Sequence, residues 1–357
     1  MSLITLRQLL DHAAEHGYGV PAFNISNMEQ GLAIMNAARA CDAPVILQAS
    51  LNVRNVYAGD RMIVGIVRAL ADMYPNNPIC LHQDHGHNER ACVSAIGAGF
   101  TSAMMDGSLM GDGKTPADYE HNADITGRVA QIAHWMGASI EGELGVLGSL
   151  ETGEAGQEDG SGAEGKMDRD QLLTDPNQAA EFVAATKVDA LAIACGTSHG
   201  AYKFTRAPDG DILSMAQIEA IHKRLPETHL VMHGSSSVPQ YLQDVINANG
   251  GEMPQTWGVP VEEIERGIRH GVRKVNIDTD CRMAMSGAMR RFAQETPQAF
   301  DPRAFILAAM EELETLVRDR FERFGTTGHA HKIKPITLAD MAQRYAEGAL
   351  DPRVAAA

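Results

Sequence analysis

The sequence lacks the signatures of several large protein classes. Lys and Arg total 30 against 46 Asp and Glu, a formal net charge of −16 at pH 7. Without a basic surplus there is no electrostatic footprint for nucleic acid or for an anionic membrane surface, and neither is an expected partner. An anionic substrate would need a local cationic pocket, because the global field repels it. The five cysteines (Cys41, Cys80, Cys92, Cys195, Cys281) are scattered and contain no C-x-x-C, which excludes a zinc ribbon or a thioredoxin-like motif. Four of them lie in or beside apolar segments, where a free thiol acts as a small hydrophobe. That usage fits a reducing compartment. The opening "MSLITLRQLL" has neither the basic start nor the long apolar stretch of a signal peptide. No apolar run approaches the length needed to span a bilayer. The expected location is cytoplasmic. Neither G-x-G-x-x-G nor a Walker A pattern occurs, so dinucleotide and nucleoside triphosphate sites lose support.

What is present is a repeated strand-helix alternation. A chain of 357 residues could hold two domains or one large barrel. Hydrophobic residues at 44% and charged residues at 21% are ordinary for a globular chain with a large core. Eight β-rich runs recur: "VPAFNI" (20–25), "PVILQAS" (44–50), "PICLHQDH" (78–85), "SAMMDG" (102–107), "SIEGELG" (139–145), "ALAIACG" (190–196), "HLVMHGSS" (229–236) and "KVNIDTD" (274–280). Most begin continuously apolar, as parallel strands covered on both faces do. Helical periodicity fills the intervals, as in "EQGLAIMNAARA" and "VPQYLQDVINAN". Every run is polar at its end: "NIS", "QAS", "QDH", "MDG", "EGELG", "GTSHG", "HGSSS", "NIDTD". An open doubly wound sheet gathers polar ends at one switch point, whereas a barrel opens all of them onto one face.

The expected fold is therefore α/β: a (β/α)₈ TIM barrel with extra C-terminal helices. It reads as one domain over 1–357, with the barrel from about 18 to 300 and a helical extension from about 301 to 357. One connection departs from the pattern. "GVLGSLETGEAGQEDGSGAEGKMDRDQLLT" is long, acidic and rich in Gly, a length usually reserved for functional or disordered loops.

The stretch "CLHQDHGHNER" crowds His82, Asp84, His85 and His87 at the end of the third run. His85, His199 and His233 each close a strand and precede a Gly, which allows a sharp turn and close approach to a ligand. All three would face one barrel mouth. Imidazole is the commonest zinc ligand, and catalytic zinc takes three protein ligands with one open position. Three separate phosphate or hydroxyl donors are the alternative. Glu143 ends the fifth strand beside the same mouth. Asp84, next to a bound cation without ligating it, suits general acid/base work. His82 lies deeper, in a structural hydrogen bond, and His87 opens the next helix in solvent. "GTSHGAYK" and "HGSSSVP" are small turns whose backbone N–H groups can form anion nests. No lysine ends a strand inside the barrel: Lys274 begins strand eight and Lys203 lies in a loop. That disfavours imine catalysis.

In this order, "QDHG", "MDGS", "EGELG", "GTSHGAYK", "HGSSS" and "NIDTDCRMA" resemble the class II, zinc-dependent fructose-bisphosphate aldolases. The likeness runs from "VPAFN" to "FDPRAF". The long acidic loop and the C-terminal extension resemble the form found alongside the bacterial Calvin cycle. The resemblance implies that His85, His199 and His233 hold a catalytic Zn2+. Glu143 is then an alternative ligand as the ion moves to a second position near Asp106. Asp84 would exchange the proton of the C4 hydroxyl, and Asn276 would orient the ene-diolate. Gly200, Lys203, Gly234, Ser236, Asp278 and Thr279 would cradle the phosphate of dihydroxyacetone phosphate, beside a monovalent cation (Na+ or K+). Asn24, Ser50 and Arg303 would hold the other end, Arg303 reaching from a neighbouring subunit. That implies a homodimer or higher homo-oligomer.

The base that abstracts the proton from dihydroxyacetone phosphate follows the fifth strand in the family. An inserted "SLETGEA" leaves Glu151, Glu154 and Glu158 as candidates, and "QEDG" favours Glu158 over the runner-up Glu151. Tagatose or sedoheptulose bisphosphate are the rival substrates. A zinc hydrolase would leave both anion nests without a role, and a catalytically dead barrel predicts the loss of Asp84 or of a histidine, none of which is missing.

Overall fold

The computed structural model describes residues 2–148, 156, 162–163, 165–167, 172–204, 206–208 and 212–355. Eight parallel strands close into a barrel: β1 (Val20–Asn24), β2 (Val45–Ser50), β3 (Ile79–Gly86), β4 (Ser102–Met105), β5 (Ser139–Leu144), β6 (Ala190–Ile193), β7 (His229–Met232) and β8 (Val272–Ile277). Each pairs with its sequence neighbour, and β8 returns to β1 with Ala22 opposite Asn276. Nearly every strand residue is buried, which explains the continuous apolar runs: one face packs into the barrel and the other against helices.

Side-chain-to-backbone caps mark where helices start. Asn27, Asn88 and Asp118 accept from the N–H three residues on, and Asp175 and Asp301 cap helices that carry Pro in the first turn. Such caps contribute about 1 kcal/mol each. The helix Leu6–His16 closes the bottom of the barrel, with Leu6, Leu9, Leu10 and Ala13 packed beneath Ala22, Ile46, Cys80 and Met104. Of the C-terminal helices, Pro302–Arg323 packs on Met28–Ala40 and on Thr279–Glu295, while Leu338–Ala346 packs on Tyr119–Trp135. There Tyr345 stacks on His134 and donates to Asp189 at 2.8 Å. All five cysteines are free and buried. No helix among the described residues is long and apolar enough to cross a membrane.

Two expectations need correction. β8 starts at Val272, not at 274, so Lys274 is not at the edge of the strand: it is fully buried inside the barrel, 2.9 Å from Glu141. Glu141 also faces His82 at 3.5 Å, and His82 bonds Ser102 at 2.9 Å. A charged layer therefore lies between the apolar floor and the mouth. His87 is buried rather than solvated. Its ring packs where a side chain on Gly113 would sit, and the following helix begins only at Glu89.

Lys274→Met leaves the Glu141 charge uncompensated. Urea unfolding should register a loss of about 3–5 kcal/mol, and a loss under about 1 kcal/mol would show that the pair is dispensable. Burial, then the Lys274 charge, press His82 from 6.5 down to about 3. The unfolded chain takes up that proton first, so stability contributed by neutral His82 is full above pH 6.5 and declines as pH falls towards 3. His82→Gln should flatten this acid limb, and an unchanged limb would assign it to other groups.

Candidate metal and substrate site

The mouth of the barrel is organised by a bend at the end of β3. In a regular strand Asp84 and His85 would point to opposite faces. The pairing with β4 slips between Gln83 and Gly86, and His85 adopts φ +50°, a left-handed conformation that non-glycine residues rarely hold. The twist turns both side chains towards the mouth. Gly86 is required next, because a Cβ there would lie 2.6 Å from Cys92 Sγ and 2.9 Å from the Met104 carbonyl.

His199 sits on the turn after β6 and His233 directly after β7, so neither lies within its strand. The turns converge through glycine: Gly234 has φ +61°, and its Cα approaches the Ser198 backbone so closely that a Cβ would stand 2.5 Å from the carbonyl. His85, His199 and His233 are all buried, and one ring nitrogen from each lies within 4.8 Å of the others. A second set, His85, Asp106 and Glu143, satisfies the same distance.

Hydrogen bonds decide which nitrogen of each ring is free. His85 Nδ1 is held by Asp106 at 3.0 Å and His233 Nε2 by Glu141 at 2.8 Å. The remaining His85 Nε2 and His233 Nδ1 face each other at 3.1 Å, with Asn276 Nδ2 3.2 Å from His233 Nδ1. His199 Nδ1 and Glu143 Oε2 are buried with no partner. Carboxylates that orient metal-binding imidazoles from behind are a general feature of such sites. Convergent imidazoles, backed by carboxylates and with orphaned donors, fit a divalent cation.

The electrostatics agree. Burial by itself lowers an imidazole pKa, yet Asp84, then Asp106 and Glu143, push His85 up to about 10. Burial and the charge of His85 hold His199 well below its ordinary value, and burial lowers His233. Burial, then the Asp106 charge, raise Glu143. The pocket thus favours positive charge at one place and keeps two neutral nitrogen donors beside it.

Asp84 stands next to this cluster. Burial would raise its carboxyl, but His85, Lys274 and His233 outweigh that and bring it below the usual range, so it is ionised at neutral pH. Three amides aim at it: Asn24 and Gln48 reach Oδ2, and Asn276 reaches Oδ1, each at 3.2 Å. Gln48 also donates to Asn24 at 2.6 Å. A narrow cleft opens above, lined by Asn24, Ser50, Asp84, His85 and His199, by Gly234, Ser235 and Ser236, and by Asn276 and Asp278. Asp278 is neutralised by Arg282 at 2.5 Å. A second hollow joins Asp106 and Glu143 to His199.

Of the residues singled out from sequence, Gly200, Lys203 and Thr279 do not line the cleft, and Lys203 is buried with Nζ bonded to the Ser198 carbonyl. Arg303 is not brought to it. Its side chain is 84% exposed and paired with Asp301 on its own helix. Glu151, Glu154 and Glu158 lie outside the described residues, although Gly156 between them packs against the backbone of His199. Sequence reading missed Gln48 and Glu141. Both alternate in register with residues it did single out, Ser50 and Glu143, and that period-two spacing was the available signal.

The family model described as "Fructose-bisphosphate aldolase class-II" matches residues 4–329. Two relatives from Cereibacter sphaeroides are similar over the whole length. "Fructose-bisphosphate aldolase 1" is 72% identical, covering 100% of this chain and 99% of its own. "Fructose-bisphosphate aldolase 2" is 70% identical, covering 99% and 100%. Among solved structures, the YdjI aldolase from Escherichia coli K12 superposes with a TM-score of 0.70 over 92% of this chain and 99% of that one; at 23% identity this speaks for the fold.

Gly234→Ala introduces both a clash and a disfavoured backbone angle. It should destabilise the protein by about 1–3 kcal/mol in thermal or urea unfolding. A neutral result would mean that the turn can retreat from Ser198.

Proposed function

The chain belongs to the class II fructose-bisphosphate aldolase family, and from that premise we propose zinc-dependent, reversible cleavage of fructose 1,6-bisphosphate into dihydroxyacetone phosphate and glyceraldehyde 3-phosphate. The observation that carries the zinc reading is the meeting of three buried imidazoles from distant segments beside an ionised Asp84. His85 through Nε2, with His199 and His233 through Nδ1, would hold the ion, and Glu143 with Asp106 would offer an alternative position. Bound there, zinc supplies Lewis-acid polarisation of the ketone and neutralises the charge that cleavage leaves on the three-carbon half.

The protein's own groups supply the rest. Asp84, held by three amides, takes the C4 hydroxyl proton as the C3–C4 bond breaks. C4 becomes the aldehyde carbon, and the bond's electron pair stays with C3 of the dihydroxyacetone half. Asn276, whose Oδ1 is buried without a partner, orients that ene-diolate. Glu158 returns a proton to C3, with Glu151 the runner-up; the contact of Gly156 with His199 supports a loop that works at this cleft. Gly234, Ser236 and Asp278, which line the cleft, cradle one phosphate beside a monovalent cation, with Gly200, Lys203 and Thr279 set back from its wall, and helix Thr279–Glu295 starts directly after Asp278. Asn24, Ser50 and Arg303 from a neighbouring subunit hold the other end. The exposure of the Arg303 side chain, at 84%, and of Phe300 three residues before it, at 93%, supports a homo-oligomer. The buried Lys274 is engaged by Glu141 and absent from the cleft wall, which argues against an imine route.

We assign the reaction to cytoplasmic glycolysis and gluconeogenesis, and to the Calvin cycle on the strength of the long acidic loop and the C-terminal extension. Comparing cleavage rates for fructose, tagatose and sedoheptulose bisphosphates tests the substrate; faster turnover of either rival would reassign it.

Chelation with EDTA should abolish cleavage, and zinc or cobalt should restore it; full activity without metal ends the zinc reading. Asp84→Ala should reduce kcat by about 10²–10⁴ while zinc content stays near one per chain. Glu158→Ala should slow proton exchange on dihydroxyacetone phosphate more than Glu151→Ala does, and the opposite ranking would move the role to Glu151.

A further inference from the structure

The turn after β7 is held from behind by groups that touch nothing in the cleft. Val238 has φ +46°, a strained value for a β-branched residue, so something must hold the backbone there. Asp280, in the first turn of helix Thr279–Glu295, provides that hold. Its Oδ2 accepts from Ser237 N at 3.0 Å and from Ser237 Oγ at 2.9 Å, and its Oδ1 accepts from Val238 N at 2.9 Å. Arg320, near the C-terminal end of helix Pro302–Arg323, donates to Ser237 Oγ at 2.7 Å and lies 3.4 Å from Asp280 Oδ2. Both are buried, at 1% and 4% exposure. On the cleft side of the same turn, Ser235 Oγ donates to the Asn276 carbonyl at 2.8 Å. The strained turn is therefore fastened on both sides, and its cleft face is Gly234–Ser236.

We infer that Asp280 and Arg320 are positioning residues for phosphate recognition, with the C-terminal extension reaching back to set the backbone donors of the turn after β7. This rests on the aldolase reading of the cleft. Asp280→Asn removes the charge and turns one of the two acceptor oxygens into an NH2 donor, so one of the Ser237 and Val238 N–H groups loses its acceptor and the strained turn relaxes. The effect should fall on the phosphate and leave the histidine cluster intact, since neither residue contacts His85, His199 or His233. Arg303, at the opposite end of the same helix, points outward, so one helix serves its own site at one end and solvent or a neighbour at the other.

The test uses full-length, zinc-loaded protein as wild type, Asp280→Asn, Arg320→Met and Arg320→Lys. It reads zinc content, kcat and KM for fructose bisphosphate, and affinity for dihydroxyacetone phosphate against phosphate-free dihydroxyacetone. Asp280→Asn and Arg320→Met should weaken dihydroxyacetone phosphate about tenfold or more and raise KM in parallel, an amount expected for lost charge-assisted hydrogen bonds. Zinc should remain near one per chain, and affinity for the phosphate-free compound should be unchanged. Arg320→Lys, which keeps the charge, should recover part of the loss. Unchanged phosphate affinity in all three variants, or equal losses for both ligands, overturns the inference. Should Asp280→Asn or Arg320→Met fail to fold, Arg320→Lys decides: a selective phosphate defect upholds the role and wild-type affinity rejects it. A wild type without aldol cleavage would instead defeat the functional reading itself.

Discussion

Four buried carboxylates, Asp84, Asp106, Glu141 and Glu143, crowd the upper half of this barrel. Each would be costly in isolation, so the interior must supply matching positive charge. Lys274 answers Glu141 from below. At the rim, Asp84, Asp106 and Glu143 act on a single place, where they push His85 far above its ordinary pKa. The two other imidazoles are held neutral by burial and by that same positive charge. A cation surrounded by neutral nitrogen donors and anionic oxygen donors satisfies every one of these demands together. The chemistry at the mouth follows from that charge constraint.

The backbone is shaped to meet it. The left-handed His85 brings the Asp84 carboxylate and an imidazole to the same face from adjacent positions. Gly86 and Gly234 remove Cβ atoms where chains must nearly touch. Around this core, side chains are layered by depth: an apolar floor, the Lys274–Glu141–His82 layer, then the imidazoles and amides, then the loops. The helices after β8 add a further ring whose contacts run back to the turn that follows β7.

Much of the barrel could be read in the sequence because its signal is periodic. Eight apolar runs with polar ends predict a closed α/β barrel, and the three His-Gly pairs mark where strands deliver side chains to one mouth. The weaker parts had identifiable causes. Lys274 follows Arg273 and opens the apolar stretch "KVNI", so it looks like a strand edge; only the partner carboxylate on β5 offsets the cost of its burial, and that pairing crosses more than a hundred residues. His87 follows a glycine and precedes a helix cap, a setting that ordinarily means solvent, and the turn around Gly113 covers it. Gln48 and Glu141 had the right alternation but no distinctive neighbours. Arg320 lies amid charged helical residues and carries no local mark of its inward role. Arg303 stands in the opposite position, conspicuous through "FDPR" and yet absent from the cleft wall of its own chain.

The central claim is that imidazoles from β3, from the turn after β6 and from the end of β7 share one ion. Zinc-edge X-ray absorption on metal-loaded protein tests it most directly. The account predicts a coordination shell with three imidazole nitrogens, reduced by one in His199→Ala. A shell containing sulfur, a shell of oxygen alone, or one left unchanged by His199→Ala would contradict it.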